Sequence, residues 1–337
     1  MPEHRQFPAG GSLREQIDAL LAFAVHAPST HNSQPWLFQY EENAVNVYLD
    51  TTRRLPEADR TGRDGYMSIG CLLKNLEVAA RYFGMFEKIV VDPKPLGLVA
   101  TAYFHEQQGT DETILPLFDA ILKRYNARGE MLPPPEDASR ALRSVEPPEG
   151  VSVCFVDRSS DMQKLGTLTR AGIEAFHGNP AFRNEFSLWM RGNRSPKRDG
   201  IHGYSVRMSL VLSYIIPTAM RFFNLGKKLG ALNEKGIREA VLAGILLSTE
   251  DSPKAWVKTG MCMEELALTA FARGAAASFY AAPIEENSLR EEVKKLTSTA
   301  LFPQFLIIFG VPKNKLPTTP RLFVEERLYP SSKATAS

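Results

Sequence analysis

The stretch Ala27-Pro28-Ser29-Thr30-His31-Asn32-Ser33-Gln34-Pro35-Trp36 joins an apolar segment that ends at Val25 to an alternating run from Leu37 to Tyr40. Pro28 and Pro35 fix φ and disfavour the helical region for the residue before each, so the backbone leaves helix twice. The hydroxyl and amide side chains between them can hydrogen-bond their own backbone or a polar ligand. The stretch therefore predicts a structured turn, and its role depends on residues further along the chain.

Composition indicates an ordinary globular protein. The 337 residues are 44% hydrophobic and 23% charged, which allows one large domain or two smaller ones. Forty basic and 38 acidic residues leave a net charge of +2, which argues against nucleic-acid or membrane-surface binding through bulk charge. The three cysteines lack CxxC spacing, so neither a disulfide framework nor a zinc site is indicated and a reducing cytoplasm is favoured.

The sequence predicts neither a signal peptide nor a membrane-spanning segment. The segment Met1 to Gln16 is polar and has no apolar core, so we expect no signal peptide. The longest apolar run, Leu210 to Met220, is about half as long as a bilayer requires, and it contains Pro217. We therefore expect no membrane-spanning segment.

Hydrophobic periodicity predicts most of the elements. Ser12 and Glu15 form a capping box that starts a helix before the turn, and Leu37 to Tyr40 and Val45 to Leu49 alternate as a hairpin after it. Other helices are predicted at Ser68 to Tyr82, Leu115 to Tyr125, Ser160 to Trp189, about Ser209 to Leu229 and Lys258 to Ala272. Other strands are predicted at Lys88 to Val91, Leu98 to Phe104, Val151 to Val156, Val241 to Ser248 and Phe305 to Phe309.

Two segments are predicted to be loops. Asp50 to Asp64 is dense in charge, and its arginines are interpreted as a solvated, salt-bridged set, with ligand contact as the alternative. These arginines are Arg53, Arg54, Arg60 and Arg63. The basic, glycine-punctuated stretch Arg191 to Gly200 is the most loop-like part of the chain.

Two apolar segments are similar to each other. Gly70 to Gly84 aligns with Gly260 to Gly274 at a constant offset of 190 (260 minus 70), pairing Gly with Gly at both ends. Such similarity between apolar helices also arises by chance, so duplication and coincidence both stay open. A duplicated unit predicts that two buried helices pack against each other within one chain.

Three stretches carry polar chemistry. Arg124-Tyr125-Asn126-Ala127-Arg128 places two guanidinium groups and an amide at alternate positions, suited either to phosphate capture or to a helix C-terminus. Pro317-Thr318-Thr319-Pro320-Arg321 offers another guanidinium on a stiff segment. In Ala282-Pro283-Ile284-Glu285-Glu286, Pro283 stiffens a loop, and we expect the amides of Glu285 and Glu286 to be free to face a ligand.

Together these stretches resemble the FMN-dependent nitroreductase family. Pro28 to Trp36 is similar to its Pro-Ser-Ser-x-Asn-x-Gln-Pro-Trp signature, and Arg124 to Arg128 is similar to its Arg-x-Ser-x-Arg/Lys phosphate clamp. Pro283 to Glu285 resembles the Pro-x-Glu-Gly loop under the flavin N5, and Arg321 falls where the family places a C-terminal phosphate-binding arginine. Two positions depart from the family: Glu286 replaces a glycine, and Thr319 stands where a lysine often assists.

The resemblance also implies how the chain is organised. Family members are homodimers whose two FMN sites are each built from both subunits, whereas this chain holds the turn in its first half and the other motifs in its second. It is therefore similar to the fused, Acg-like, single-chain branch. The implied fold is α+β and nitroreductase-like, with two fused repeats whose central mixed or antiparallel sheets pack around long buried helices. We expect halves at 1–115 and 116–330 with one FMN site between them, and a frayed tail at 331–337.

The resemblance assigns a set of cofactor-binding residues: Ser29, Thr30, Asn32, Gln34, Arg124, Asn126, Arg128, Asn184, Pro283, Glu285, Glu286 and Arg321. It implies hydride transfer from NAD(P)H through FMN to a nitroaromatic, quinone or related acceptor, with no metal and no catalytic side chain, because the flavin carries the chemistry. His31 has no partner in sequence and is predicted to be a turn residue.

Two alternatives to an enzyme stay open. One is an FMN-binding or storage protein whose flavin is covered by a lid, and Arg191 to Gly203 is the candidate lid. The other is a scaffold whose sites have decayed. We expect a small-molecule substrate, no nucleic-acid or membrane partner, a single chain as the functional unit with further dimerisation left open, and a cytoplasmic location.

Overall fold

A computed structural model describes residues 7–94 and 97–330 of the chain. The helices are α1 Leu13–Ala24, α2 Arg63–Tyr82, α3 Leu115–Lys123, α4 Glu136–Arg143, α5 Ser159–Gly178, α6 Pro180–Trp189, α7 Leu210–Phe222, α8 Gly226–Glu239, α9 Pro253–Ala272, α10 Ala282–Glu285 and α11 Asn287–Thr297. The strands are β1 Trp36–Tyr40, β2 Ala44–Leu49, β3 Phe86–Val91, β4 Leu98–Phe104, β5 Met131–Leu132, β6 Val151–Val156, β7 Met190–Arg191, β8 Ile201–His202, β9 Leu242–Ser248, β10 Ala276–Tyr280 and β11 Phe302–Pro312. The predicted frayed tail, 331–337, lies outside the described residues.

Two antiparallel sheets form the framework. The first has the strand order β1-β2-β4-β3, and the second has the order β10-β11-β9-β6, with β5 paired to the end of β11. Replacing β1, β2, β3 and β4 by β6, β9, β10 and β11 gives β6-β9-β11-β10, which is the second order read from its other edge. The two sheets therefore share one topology, and the predicted α+β fold with antiparallel sheets around long helices is confirmed.

The helices α2 and α9 cross at two glycines. A Cβ atom on Gly70 would lie 2.0 Å from the carbonyl oxygen of Val257, and one on Gly260 would lie 2.0 Å from the carbonyl oxygen of Met67. The backbones therefore touch where only glycine fits. The offset of 190 between the similar segments relates Met67 to Val257 and Gly70 to Gly260, so the two contacts are reciprocal.

Both long helices begin five residues before the predicted start. The first turn of α2 carries Arg63 and Asp64, whose charges pointed to a solvated loop, yet both side chains are buried. The prediction of Arg63 as a solvated residue is therefore wrong. In α9 the extra turn begins at Pro253, with Ser252 as N-cap accepting a hydrogen bond from the Ala255 N–H. Proline at the first helical position is compatible with a helix because that N–H has no intrahelical partner.

Three other helix predictions differ from the structure. α3 ends at Lys123 because Arg124 adopts an extended conformation, with ψ at 153°. The predicted helix from Ser160 to Trp189 is divided at Asn179, whose side chain caps α6 by accepting from the Ala181 N–H. The predicted helix from Ser209 to Leu229 is likewise two helices, α7 and α8. The capping box of Ser12 with Glu15 and the hairpin of β1 with β2 are confirmed.

Candidate functional site

The turn between α1 and β1 has an unusual backbone. His31, Asn32 and Gln34 have φ values of 55°, 53° and 52°, a left-handed region that side chains other than glycine rarely adopt. The Ser29 Oγ accepts a hydrogen bond from the Gln34 N–H at 2.9 Å and closes the turn. A strained backbone of this kind persists only where surrounding contacts hold it, and such places are often functional.

The contacts that hold this turn come from two distant segments. The buried Gln34 amide donates to the Arg198 carbonyl oxygen at 2.9 Å and accepts from the Leu322 N–H at 2.8 Å. The Asn32 amide donates to the carbonyl oxygens of Gly200 and Pro320 at 3.3 and 3.2 Å. Gln34 and Asn32 thus tie the turn to the C-terminal segment and to the loop after α6.

Two arginines from the second half meet beside the turn. The Arg124 and Arg321 guanidinium groups both donate to the His26 carbonyl oxygen, at 2.9 and 3.3 Å, and Arg321 also donates to the Ala27 carbonyl oxygen at 3.2 Å. Burial and the charges of Arg321, Arg124 and Arg198 lower the pKa of His26 to about 3. Burial and the charge of Arg124 also lower the pKa of Arg321 to about 9.

The carboxylate of Glu264 forms an ion pair with one of these two arginines. The Arg124 Nε donates to the Glu264 Oε1 at 2.6 Å, and Glu264, on α9, is fully buried. Its Oε2 has no hydrogen-bond partner among the described residues. Burial raises the pKa of Glu264 to about 7, against the opposing effect of Arg124. Cations therefore outnumber carboxylates around His26, an arrangement that favours an anion.

The third arginine of the predicted clamp is differently placed. The Asn126 Oδ1 accepts from the Phe279 N–H at 3.1 Å, which docks the clamp segment along β10. The Arg128 guanidinium makes no hydrogen bond or ion pair with any described side chain or backbone group, and it lies 5.8 Å from the centre of the Tyr280 ring. Burial and the charge of Arg128 lower the pKa of His31 to about 3. Arg128 is thus an available cation near the turn.

The segment Ala282–Glu285 differs from its predicted role. It is the short helix α10, in which the Glu285 N–H donates to the Ala281 carbonyl oxygen at 3.1 Å, so the expectation that this amide is free is wrong. Pro283 is buried, and the Glu285 carboxylate forms an ion pair with Arg63 of α2. Arg63 also donates to the Ile284 carbonyl oxygen at 3.2 Å.

This ion pair belongs to a larger buried group. Carboxylate oxygens of Asp59, Asp64 and Glu285 lie within 4.8 Å of one another, and the Thr30 hydroxyl donates to Asp64 at 2.8 Å. Burial raises the pKa of Asp59 and Glu285, and burial with the charges of Glu285 and Asp59 raises that of Asp64 well above its ordinary value. Thr30 and Glu285, predicted to lie on two sides of one site, are therefore brought together by Arg63 and Asp64.

The loop Arg191–Gly200, called here the covering loop, lies on the turn. The Gly200 N–H donates to the Asn32 carbonyl oxygen at 3.3 Å, and Arg198 donates to the Arg321 carbonyl oxygen at 2.7 Å. Asp199 forms an ion pair with Arg53 at 2.6 Å. The segment predicted to be loop-like is therefore fixed over the turn by both charged and backbone contacts.

Two further predicted residues, Asn184 and Glu286, lie at the edge of the site. Asn184 is exposed on α6, two residues before Phe186, whose ring packs edge-on against His31 at 5.0 Å between centroids. Glu286 is half-buried at the start of α11. Within the described chain, the His31 Nδ1 and the Asn32 Oδ1 are buried without a hydrogen-bond partner. Both atoms are therefore available to a ligand.

Sequence relatives were found along most of the chain, although no family model matches it. "Putative NAD(P)H nitroreductase Rv3131" of Mycobacterium tuberculosis is 24% identical over 314 residues, which cover 91% of this chain and 89% of that protein. The chain is similar to this protein over most of its length. "Putative NAD(P)H nitroreductase acg" of the same organism is 31% identical over 122 residues, and this match spans 37% of its length.

Solved structures of an FMN-dependent nitroreductase and of an FMN-bound deiodinase are also similar to this chain. The FMN-dependent nitroreductase NfnB from Mycobacterium smegmatis, in complex with NADPH, has a TM-score of 0.42 at 15% identity over 65% of this chain and 100% of that one. Oxidized iodotyrosine deiodinase bound to FMN and 3-iodo-L-tyrosine has a TM-score of 0.39 at 20% identity, over 61% of this chain and 95% of that one.

Several residues of the site are not predicted from sequence, among them Asp59, Arg198 and the three discussed next. Arg63 and Asp64 were assigned to a solvated loop, and Glu264 was not singled out. A signal existed for Glu264, because it is an acidic residue in a helix predicted to be rich in small and apolar residues. A buried carboxylate requires a charged or hydrogen-bonding partner, which the sequence could not identify among 40 basic residues.

Glu264 should make stability depend on pH below neutrality. Its carboxyl ionises in the unfolded chain near pH 4.5 and in the folded chain near pH 7, so between these values the folded state holds one more proton. The free energy of unfolding therefore falls as pH rises through this window, by about 3 kcal/mol from this group. Urea unfolding between pH 4.5 and 7.5 should show that Glu264→Gln flattens this slope.

The control for this prediction is Glu42→Gln, in the exposed turn between β1 and β2. It should leave the slope as in the wild type. A Glu264→Gln variant that keeps the wild-type slope would show that Glu264 is not the group that holds the extra proton.

Proposed function

We propose that the chain is an FMN-dependent oxidoreductase that passes hydride from NAD(P)H to a small nitroaromatic, quinone or related acceptor. The observation that carries the proposal is an excess of positive charge beside the strained turn. Four guanidinium groups lie there, and one of them, Arg124, forms an ion pair with a carboxylate, Glu264. The other three are Arg128, Arg198 and Arg321. A partly buried excess of guanidinium groups is costly, and a dianionic phosphate relieves it through charge-assisted hydrogen bonds. The relation to proteins named NAD(P)H nitroreductases supports the same function.

The residues present fit this cofactor at its phosphate end. Arg128 would hold the phosphate with a guanidinium that makes no hydrogen bond or ion pair in the described chain, and Arg124 and Arg321 would add charge from the side of His26. The low pKa of His31 keeps its imidazole neutral at physiological pH, so its unpartnered Nδ1 is an uncharged polar atom beside the site. When bound, FMN supplies the hydride-accepting centre, and no protein acid or base is required for that step.

A second candidate function is FMN binding with little or no turnover. The covering loop favours it, because Asp199 and Arg198 fasten this loop to Arg53 and Arg321 directly over the turn. A nicotinamide or an acceptor must reach the flavin face, and a fixed loop there would exclude it. The two candidates therefore share the cofactor site and differ in access.

One experiment separates the candidates. Purified protein is titrated with FMN, and the loaded protein is then mixed anaerobically with NADPH or NADH while flavin absorbance is followed. We expect FMN to bind and its absorbance to bleach within seconds, and a nitroaromatic or quinone should restore it. Binding without bleaching would support the storage function, and no uptake of FMN would overturn both.

Arg128→Ala should weaken FMN binding by on the order of tenfold or more, because a hydrogen bond to a charged group contributes about 1.5–3 kcal/mol. The thermal midpoint of the FMN-free protein should stay unchanged, since the Arg128 guanidinium has no hydrogen-bond or ion-pair partner in the described chain. Fluorescence titration measures the affinity, and Arg60→Ala, an exposed arginine of the loop before α2, is the matched control. Equal FMN affinity in Arg128→Ala and the wild type would remove Arg128 from the site.

We also propose that the chain is an internal duplication, with halves at 1–115 and 116–330, and that one chain is the functional unit. The shared strand order of the two sheets and the reciprocal contacts of Gly70 and Gly260 support this proposal. The free cysteines Cys71, Cys154 and Cys262 support a cytoplasmic location. Light scattering with flavin quantification should give one FMN per chain. Two FMN per chain would contradict the proposal that the chain has a single site.

A further inference from the structure

Helix α7 turns an apolar face outward. Val211, Tyr214, Ile215 and Phe222 are spaced on one side of the helix, with exposed fractions of 65%, 56%, 54% and 74%. The opposite side carries Ser213 and Met220, the two buried residues of this helix. Surface helices of globular proteins normally place the apolar face inward, so α7 is inverted.

The exposed area is larger than a monomer normally shows. The neighbouring side chains of Val206, Leu210, Leu212 and Phe223 are also exposed. With side chains of these sizes, the patch amounts to on the order of 800 Å², whereas the largest patch on a typical monomer covers about 300–600 Å². An apolar surface of this size indicates that a partner covers it.

The charges around α7 identify the kind of partner. Residues 187–233 contain eight lysines and arginines and one acidic residue, Asp199, which is already paired with Arg53 and Arg191. This segment therefore carries a net charge of +7, and the remainder of the chain carries −5, giving the total of +2. The small net charge of the whole chain conceals a strongly basic region around an exposed apolar helix.

Six of these cations are exposed and form no ion pair with a described residue: Arg194, Lys197, Arg207, Arg221, Lys227 and Lys228. Arg207 precedes α7, Arg221 lies in its last turn, and Lys227 and Lys228 follow it at the start of α8. A second copy of the chain on this face would bring these cations against their own equivalents. A negatively charged surface would be complementary to them.

We propose that α7 docks the chain on the surface of an anionic lipid bilayer. Its apolar face lies at the boundary between head groups and acyl chains, and the flanking lysines and arginines contact anionic head groups. The helix has 13 residues and contains Pro217. At about 1.5 Å per residue α7 is roughly 20 Å long, shorter than the hydrocarbon core of about 30 Å, so it is suited to lie along the surface. Within residues 7–94 and 97–330, no helix has the length and apolar character of a membrane span. The proposal is independent of FMN binding.

Sedimentation with vesicles tests this proposal. The full chain is mixed with vesicles of phosphatidylcholine alone or of equal parts phosphatidylcholine and phosphatidylglycerol, at 0.1 M and 0.5 M salt. We expect binding to the anionic vesicles that weakens at least tenfold in high salt or with neutral vesicles. Absence of binding to anionic vesicles, or equal binding to both kinds, would overturn the proposal.

Variants assign the binding to the helix. Val211→Ser with Ile215→Ser and Phe222→Ser should weaken vesicle binding at least tenfold, and Lys227→Gln with Lys228→Gln should weaken it on the order of tenfold on anionic vesicles alone. Leu232→Ser is the matched control, because Leu232 is 59% exposed on α8. Far-ultraviolet circular dichroism and the thermal midpoint verify that each variant is folded. If the triple variant still binds vesicles, the assignment of binding to α7 is overturned. If the wild type binds no vesicles but forms a dimer that the triple variant disrupts, the membrane proposal is also overturned, and a second copy of the chain covers α7.

Discussion

Gly70→Ala should lower the free energy of unfolding by about 3 kcal/mol, at the upper end of the usual cost of adding atoms to a packed core. The new Cβ would lie 2.0 Å from the Val257 carbonyl oxygen and 2.8 Å from the Gly260 Cα, which are backbone atoms of a buried helix. They cannot move aside as a side chain does, so α2 and α9 must separate and both sheets must follow. The gain of about 1 kcal/mol in helix propensity offsets only part of this cost.

Gly178→Ala is the control for this prediction, because Gly178 ends α5 and a Cβ added to it would have nothing within 4 Å. Urea unfolding should place it within about 1 kcal/mol of the wild type, with the propensity effect alone. Gly260→Ala should resemble Gly70→Ala, since it meets the Met67 carbonyl oxygen at the same distance. The double variant should cost less than the sum, because a helix pair already separated accepts the second methyl group. Gly70→Ala with wild-type stability would disprove the close crossing.

Features governed by neighbours in sequence were predictable. The capping box of Ser12 with Glu15 and the hairpin after the turn depend on residues within a few positions of each other, and both are confirmed. Pro283 is an exception, because the loop predicted around it is a short helix. A proline stiffens a loop, but it is also favoured in the first turn of a helix, and here it lies in α10, whose turn uses the Glu285 amide.

Partners distant in sequence were not predictable from pattern. Arg63 pairs with Glu285 across 222 positions, and Arg124 pairs with Glu264 across 140 positions. Periodicity classifies a charged residue as solvated unless its partner is known, so the first turn of α2 was assigned to a loop. The site residues came from a resemblance to a family, and the structure adds what resemblance lacks: the anchoring of Gln34 and the buried carboxylates around Arg63.

Arg63→Met should cost about 3–5 kcal/mol of unfolding free energy at pH 7, because it removes the guanidinium from a buried ion pair and leaves its partner charge uncompensated. Asp59, Asp64 and Glu285 then share a site from which water is excluded. Arg60→Met, an exposed arginine three residues earlier, should change stability by no more than about 0.5 kcal/mol. Chemical denaturation of both variants at pH 7 makes the comparison.

The pH dependence of the Arg63→Met effect distinguishes lost charge compensation from lost packing. Burial already raises the pKa of all three carboxyls, and Arg63 opposes the rise in each, so the variant should raise them further. A folded-state pKa above the unfolded value, about 4, means that the folded state keeps protons that the unfolded chain has released. The destabilisation should therefore be smallest near pH 4 and grow toward pH 7. A cost that stays constant over this range would assign the role of Arg63 to packing, and Glu285→Gln in the Arg63→Met background should recover part of the loss only if charge is the cause.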